Sequence, residues 1–127
     1  MPISARNFAS LVLAEFPELR GDLEAEWNRG LLHCEMGELA RHAREAKELG
    51  NWDTFGRAVQ LANRCLLEGD EAVDNAVYVS FLESIDFDGR NGQQAWNLLP
   101  NEQQRAWREH NDGMGRAVPR WMKKIAG

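Results

Sequence analysis

The chain has 127 residues and a formal net charge of −5, and 43% of its residues are apolar, including five Trp and five Phe. This content excludes a disordered chain, and the length allows one domain with a single core. The longest apolar runs fall far short of a membrane span.

The charge is uneven. Residues 1–88 hold 17 acidic and 8 basic side chains, a balance of −9, while residues 89–127 hold 3 and 7, a balance of +4. The body therefore repels nucleic acid, and the C-terminal part attracts an acidic partner or folds back on the acidic body.

The N-terminal stretch MPISARNFASLVLAEFPEL has one Arg and then an apolar patch interrupted by Glu15. No small-residue cleavage site follows, so it reads as a first helix over 4–15 and not as a signal peptide. Phe8, Leu11 and Val12 form its stripe, and Pro17 ends it. Residues 18–29 form an acidic connector with a turn of helix expected around 23–27.

Gly30, Gly50, Gly69 and Gly89 follow at spacings of 20, 19 and 20. Glycine commonly closes a helix in the left-handed conformation, so these four mark expected helix ends joined by short turns. The second helix spans 31–49, with Leu32, Met36, Leu39, Ala43 and Ala46 as its apolar stripe. Its other face, Glu35, Glu38, Arg41, Glu45 and Glu48, reads as solvated charge. The third spans 52–67, with Phe55, Val59, Ala62 and Leu66 inward. Cys34 and Cys65 sit in helical patterns and read as reduced core or near-core thiols, consistent with a cytoplasmic protein.

The central helix begins at Asp70, a suitable N-cap, with Glu71 and Asp74 at the positive end of the dipole. Ala72, Val73, Ala76, Val77, Tyr78, Val79, Phe81, Leu82 and Ile85 cover nearly every direction of its wheel, which predicts a helix enclosed by others. Residues 86–91 form a turn, a short helix comes next over 93–99, and Pro100 breaks it. Asn101 and Gln104 resemble a capping box opening a helix over 102–110. The remaining 111–127 form a basic, less regular tail with one turn after Pro119. No segment alternates like a strand. The expected fold is all-α: one domain over 1–127, an antiparallel helical bundle or short helical-hairpin stack of about five to six helices.

Chemistry is sparse. Glu38 and His42 lie four apart with Glu35 one turn earlier, which is half of a carboxylate metal site. The sequence lacks the second Glu-x-x-His of a di-iron bundle. The stretch from Asp86 begins like a calcium loop, but Arg90, Asn91 and Asn97 occupy positions that need an oxygen ligand, a glycine and a bidentate glutamate. His33 and Cys34 are helix neighbours about 100° apart and do not form a dyad. Arg116, Arg120, Trp121, Lys123 and Lys124 mix cation with aromatic as single-strand binders do, against an acidic body. No cofactor is expected. Glu83 falls on the wheel near Ala72, Ala76 and Val79, so that strip faces solvent, a groove lined by small residues, or a partner's cation.

The block Val79-Ser80-Phe81-Leu82-Glu83, then Asp86-Phe87 and Gly89, followed by Leu98-Leu99-Pro100 and Trp107, resembles a group of small, acidic, helical bacterial proteins of unknown function. Leu32, Glu35, Met36, Gly37 and Leu39 share that likeness. The resemblance covers about residues 30–108 and transfers no catalytic residue. It implies, by analogy of type, an immunity protein that neutralises a cognate bacterial toxin.

The expected function is accordingly non-catalytic. An acidic face around Asp70, Glu71, Asp74, Glu83, Asp86 and Asp88 would occlude a basic cleft, with Trp52, Trp96 and Trp121 as exposed anchors. The alternatives are a scaffold module that holds a peptide or another copy of itself, and an enzyme with a metal centre at Glu35, Glu38 and His42. Either a monomer or a homodimer fits, and no membrane partner is expected.

Overall fold

A computed structural model describes residues 2–114 and 119–122. The architecture is all-helical, with seven α-helices among the described residues, more than the sequence suggested. No described helix is long and apolar enough to cross a membrane.

Helix α1 (Ala5–Glu15) starts where the Ser4 amide donates to Asn7 Oδ1 at 2.8 Å. Phe8, Val12 and Phe16 are buried. Pro17 does not simply stop the chain. Its fixed φ suits a new helical start, and a 3₁₀ turn (Pro17–Leu19) runs into α2 (Arg20–Leu23). The connector's helix thus lies earlier than 23–27, because Leu19 and Leu23, one turn apart, are the residues that reach the core.

Helix α3 (Leu32–Leu49) buries Met36, Leu39, Ala40, Ala43 and Ala46, while Leu32 is half-buried. Gly50, at φ +72°, closes it in the left-handed region. Two charged residues of this helix are buried, and one of them, Glu35, was expected on its solvated face. Glu35 is buried and accepts from the Gly30 amide at 3.2 Å, and Lys47 is fully buried with Nζ donating to the Asp86 carbonyl at 2.6 Å. Helix α4 (Trp52–Glu68) is capped by Asn51, whose Oδ1 accepts from the Thr54 amide. It packs against α3, and Phe55, Ala58, Val59 and Ala62 are buried.

Of the four spaced glycines, Gly30 and Gly50 are left-handed and Gly69 is extended. Gly69 forms an isolated parallel bridge with Ile3. A Cβ there would collide with the Cys65 carbonyl and the Val73 side chain, so close approach rather than handedness requires glycine. Gly89 lies in the 86–91 turn, where Asp86 Oδ1 accepts from the amides of Asp88 and Gly89.

The central rod changes winding along its length. Helix α5 (Glu71–Ala76) is capped by Asp70, whose Oδ1 accepts from the Val73 amide at 3.0 Å. A π turn (Val77–Phe81) and a 3₁₀ turn (Leu82–Ser84) continue it. Val73, Ala76, Val77, Phe81, Leu82 and Ile85 are buried, but Ala72, Asn75 and Val79 are exposed. The rod is therefore not enclosed on all sides: one strip is open.

Helix α6 (Gly92–Leu98) and α7 (Asn101–Met114) complete the body. The Gln104 side chain donates to the Trp96 carbonyl at 2.9 Å instead of forming a capping box, and the Gln103 and Gln104 amides go to the Pro100 carbonyl. Helix α7 extends past His110 into the stretch expected to be irregular, held at Asn111 by its buried side-chain amide on the Trp107 carbonyl. The segment 119–122 packs on the body. Trp121 Nε1 donates to the Phe87 carbonyl at 2.6 Å, the Arg120 amide donates to Asp88 Oδ1 at 3.0 Å, and Met122 is buried. Arg116, Lys123 and Lys124 lie outside the described residues.

Both thiols are free, but Cys34 is exposed rather than near the core, and Cys65 is buried with its thiol pushed up to about 12 by desolvation. A thiol reagent at mildly alkaline pH is expected to modify one cysteine rapidly in the folded protein and both in denaturant. Cys34→Ser should remove the rapid phase, and rapid modification of both native thiols would contradict this burial.

Candidate binding groove

The open strip of the rod borders a groove of about 870 Å³ lined by Asp70, Glu71, Ala72, Asp74, Asn75, Tyr78, Val79 and His110. Among the described residues, three carboxylates face it and no Lys or Arg lines it. Asp70 is fixed by its capping bond, and Glu71 is exposed beside it. Asp74 is half-buried, and burial pushes its carboxyl above the ordinary range.

The π turn shapes the far end. Its i→i+5 bond, from the Leu82 amide to the Val77 carbonyl, inserts one residue and rotates the later part of the rod by about 100° relative to a regular helix. Tyr78 meets His110 of α7 edge to face at 6.3 Å between ring centres. The Tyr78 hydroxyl is pushed up by burial, and then by the charges of Asp74 and Glu109. Ser84 Oγ donates to the Ser80 carbonyl at 2.9 Å, giving that carbonyl a partner where the winding changes. Ser80 Oγ is hydrogen-bonded to His33 Nδ1 at 2.7 Å, which ties the turn to the first turn of α3.

The expected acidic face divides in two. Asp70, Glu71 and Asp74 gather in this groove, while Asp86 and Asp88 lie at the other end of the rod, on the order of 20 Å along its axis. There Asp86 folds back on its own turn and Asp88 receives the Arg120 amide. They line a separate recess of about 430 Å³ with Glu83 and Arg44. Glu83 is half-buried and lines this second recess, while its Oε2 lies 3.5 Å from Nε2 of His110, which lines the first groove.

The tryptophans are also placed differently. Trp96 is buried against Phe87 and Trp107, Trp121 is hydrogen-bonded to the body, and Trp52 is half-buried edge-on to Phe55. None of the three stands free as an exposed anchor. The exposed indole is Trp27, at 72%. It stands four residues after Leu23 and four before Leu31, so helical spacing gave no sign of its exposure.

Glu35, Glu38 and His42 do not converge. Glu35 turns to Gly30, Glu38 accepts from Arg41 and Asn28, and His42 packs edge-on to Phe16 with Nε2 3.2 Å from Glu18. Among the described residues no group of three His, Cys, Asp or Glu side chains could hold a metal ion.

Residues 9–115 match the family described as a domain of unknown function, DUF7674. The chain belongs to this family. The matched stretch contains every described residue that lines the acidic groove, whereas the docked 119–122 segment lies beyond it. No curated protein and no solved structure matches the chain.

Proposed function

We infer that this DUF7674 protein is a non-catalytic protein-binding module, most concretely an immunity-type inhibitor that occludes a basic toxin domain. The observation that carries the reading is the groove along Asp70–Val79, which gathers Asp70, Glu71 and Asp74 with no Lys or Arg among the described residues that line it. Such a concentration of negative charge steers a basic surface toward it and penalises an acidic one. Half-burial of Asp74 adds to this, since a partner's cation there would meet a carboxylate less screened by water. The acidic site accordingly centres on the first half of the rod rather than on all six carboxylates from Asp70 to Asp88.

The test is a pull-down of the tagged protein from its native lysate, including products of adjacent genes, followed by affinity measurement with the recovered basic partner. Glu71→Lys with Asp74→Lys is the informative variant, because neither side chain caps a helix, whereas Asp70 does. Its affinity should fall at least about tenfold, or ~1.4 kcal/mol. Unchanged affinity, or recovery of no basic protein, overturns the reading.

A scaffold that holds a peptide is the second reading. It is favoured by a more apolar groove of about 580 Å³ that includes Leu11, Trp52, Gly56, Val59 and Leu98. Light scattering separates self-assembly from a free inhibitor.

A further inference from the structure

The apolar groove along α4 carries a charge pattern that complements itself. Asp53 and Arg64 both line it and stand eleven residues apart. That is about three helical turns, so they share one face, about 16 Å apart along the axis. Asp53 is exposed in the first turn of α4, and exposed Arg64 reaches Glu68 at 3.5 Å. Arg57, between them, is held within its own chain. Its Nε donates to Glu15 Oε1 at 2.7 Å, and its guanidinium stacks over Phe16 at 4.8 Å.

Gly56 lines the same groove, and no described neighbour explains it. Its φ is not positive, and a Cβ there would meet nothing within 4 Å. Glycine in a helix interior is less favourable than alanine. What Gly56 provides is a gap in the side-chain layer, through which a second backbone can come close to α4. Apolar surface lies beside it. Leu67, three residues beyond Arg64 on that face, is 62% exposed, and Leu98 of α6, which lines the groove, is 45% exposed.

We propose that this face of α4 pairs with the same face of a second copy of the chain, antiparallel about a two-fold axis at the level of Ala58 and Val59. Asp53 then comes to the level of Arg64 of the second copy, and Arg64 to the level of its Asp53, so one contact makes two opposite-charge pairs. A slip of four residues sets Asp53 against Glu68 or Gln60 instead, so the charges select one register. The face from Asp53 to Leu67 is about 21 Å long and, with the walls from α1 and α6, about 20 Å wide, on the order of 400 Å² per copy. This is about half of what each partner of a standard stable complex buries, so the dimer is weak and forms as concentration rises. The proposal names an occupant for the groove behind the scaffold reading and rests on that reading. Asp70, Glu71 and Asp74 do not line this groove, so its failure leaves the inhibitor reading in place.

Sedimentation equilibrium of the full chain from roughly 10 μM to roughly 1 mM is expected to show a monomer passing to a dimer. Asp53→Arg alone sets arginine against arginine, and Arg64→Asp alone sets acid against acid. Each should associate at least about tenfold more weakly than the wild type. An equal mixture of the two variants restores both opposite-charge pairs and should associate at least as well as the wild type. That rescue excludes misfolding as the cause of either loss. Gly56→Leu introduces a better helix former, so the dilute protein should keep its thermal midpoint while the dimer is lost. A wild type that stays monomeric throughout overturns the proposal and leaves the groove to a peptide. Assemblies that grow beyond a dimer, a mixture no better than either variant, or a Gly56→Leu protein that still dimerises also overturn it.

Discussion

Lys47→Ala is expected to lower unfolding free energy by about 3–5 kcal/mol, whereas Lys47→Met costs less than about 1.5 kcal/mol. Lys47 is fully buried near the end of α3, and its ammonium donates to the Asp86 carbonyl at 2.6 Å. Its own carbonyl receives the Asn91 side-chain amide at 2.9 Å. One residue therefore holds both ends of the 86–91 turn against the bundle. Alanine deletes the stem, leaves a void and strands the Asp86 carbonyl. Methionine keeps the stem, and what it loses in the hydrogen bond is offset by no longer burying a charge. Midpoints and slopes of urea unfolding read both effects.

The same residue predicts a pH dependence. Desolvation pushes the Lys47 ammonium below its ordinary 10.5, and the nearby Asp86 charge opposes that only in part. Below the folded value both states carry the proton, and the full cost of burying it stands. As pH rises through the lowered folded value toward 10.5, the folded state releases the proton first and the cost is relieved. The wild type should therefore gain stability relative to Lys47→Met across that alkaline interval. The comparison cancels Cys65, which is common to both proteins. A constant difference across the interval would contradict a lowered value.

Trp96→Ala is expected to cost about 3–5 kcal/mol and to leave binding at the acidic groove unchanged. Trp96 is buried, with its ring 5.4 Å from Phe87, 5.1 Å from Trp107 and 6.2 Å from Trp121. Arg108 stacks over it from solvent at 5.2 Å. Losing the ring removes the surface on which Trp121 rests, so the Trp121 indole should also become more accessible to a fluorescence quencher. A stable Trp96→Ala protein that had lost partner affinity would instead make Trp96 a binding residue.

The helices with clean 3–4 spacing were legible in the sequence. Met36, Leu39, Ala43 and Ala46 on α3, and Phe55, Val59 and Ala62 on α4, are buried as their periodicity requires. The polar interior was not legible, because a helical wheel assigns Glu35 and Lys47 by type. Their burial depends on partners far along the chain or in a turn: Asp86 for Lys47, Gly30 for Glu35. The π turn was hidden for a related reason, since Val77–Phe81 reads as ordinary helix until the Ser84 hydroxyl is seen to bond the Ser80 carbonyl and the Ser80 side chain to pair with distant His33. In the candidate groove, the capping role of Asp70 was legible because capping chemistry is local. Trp96 and Trp121 were misplaced because the groups that hold them come from elsewhere in the chain, and Trp52 because it leans on Phe55 of its own helix. Trp96 finds its neighbours only when α6, α7 and the 119–122 segment come together.

The pairing of Ile3 with the turn before α5 bears on how the molecule is handled. The Ile3 amide donates to the Glu68 carbonyl at 2.9 Å, and the Asp70 amide donates to the Ile3 carbonyl at 2.8 Å. Anything fused ahead of Ile3 leaves the surface within a residue or two of Asp70, at the rim of the acidic groove. An affinity handle or dye attached there would crowd the groove, and a polyhistidine handle would present it with imidazoles of its own. An attachment through an engineered cysteine at exposed Leu49, at the end of α3, keeps that approach clear.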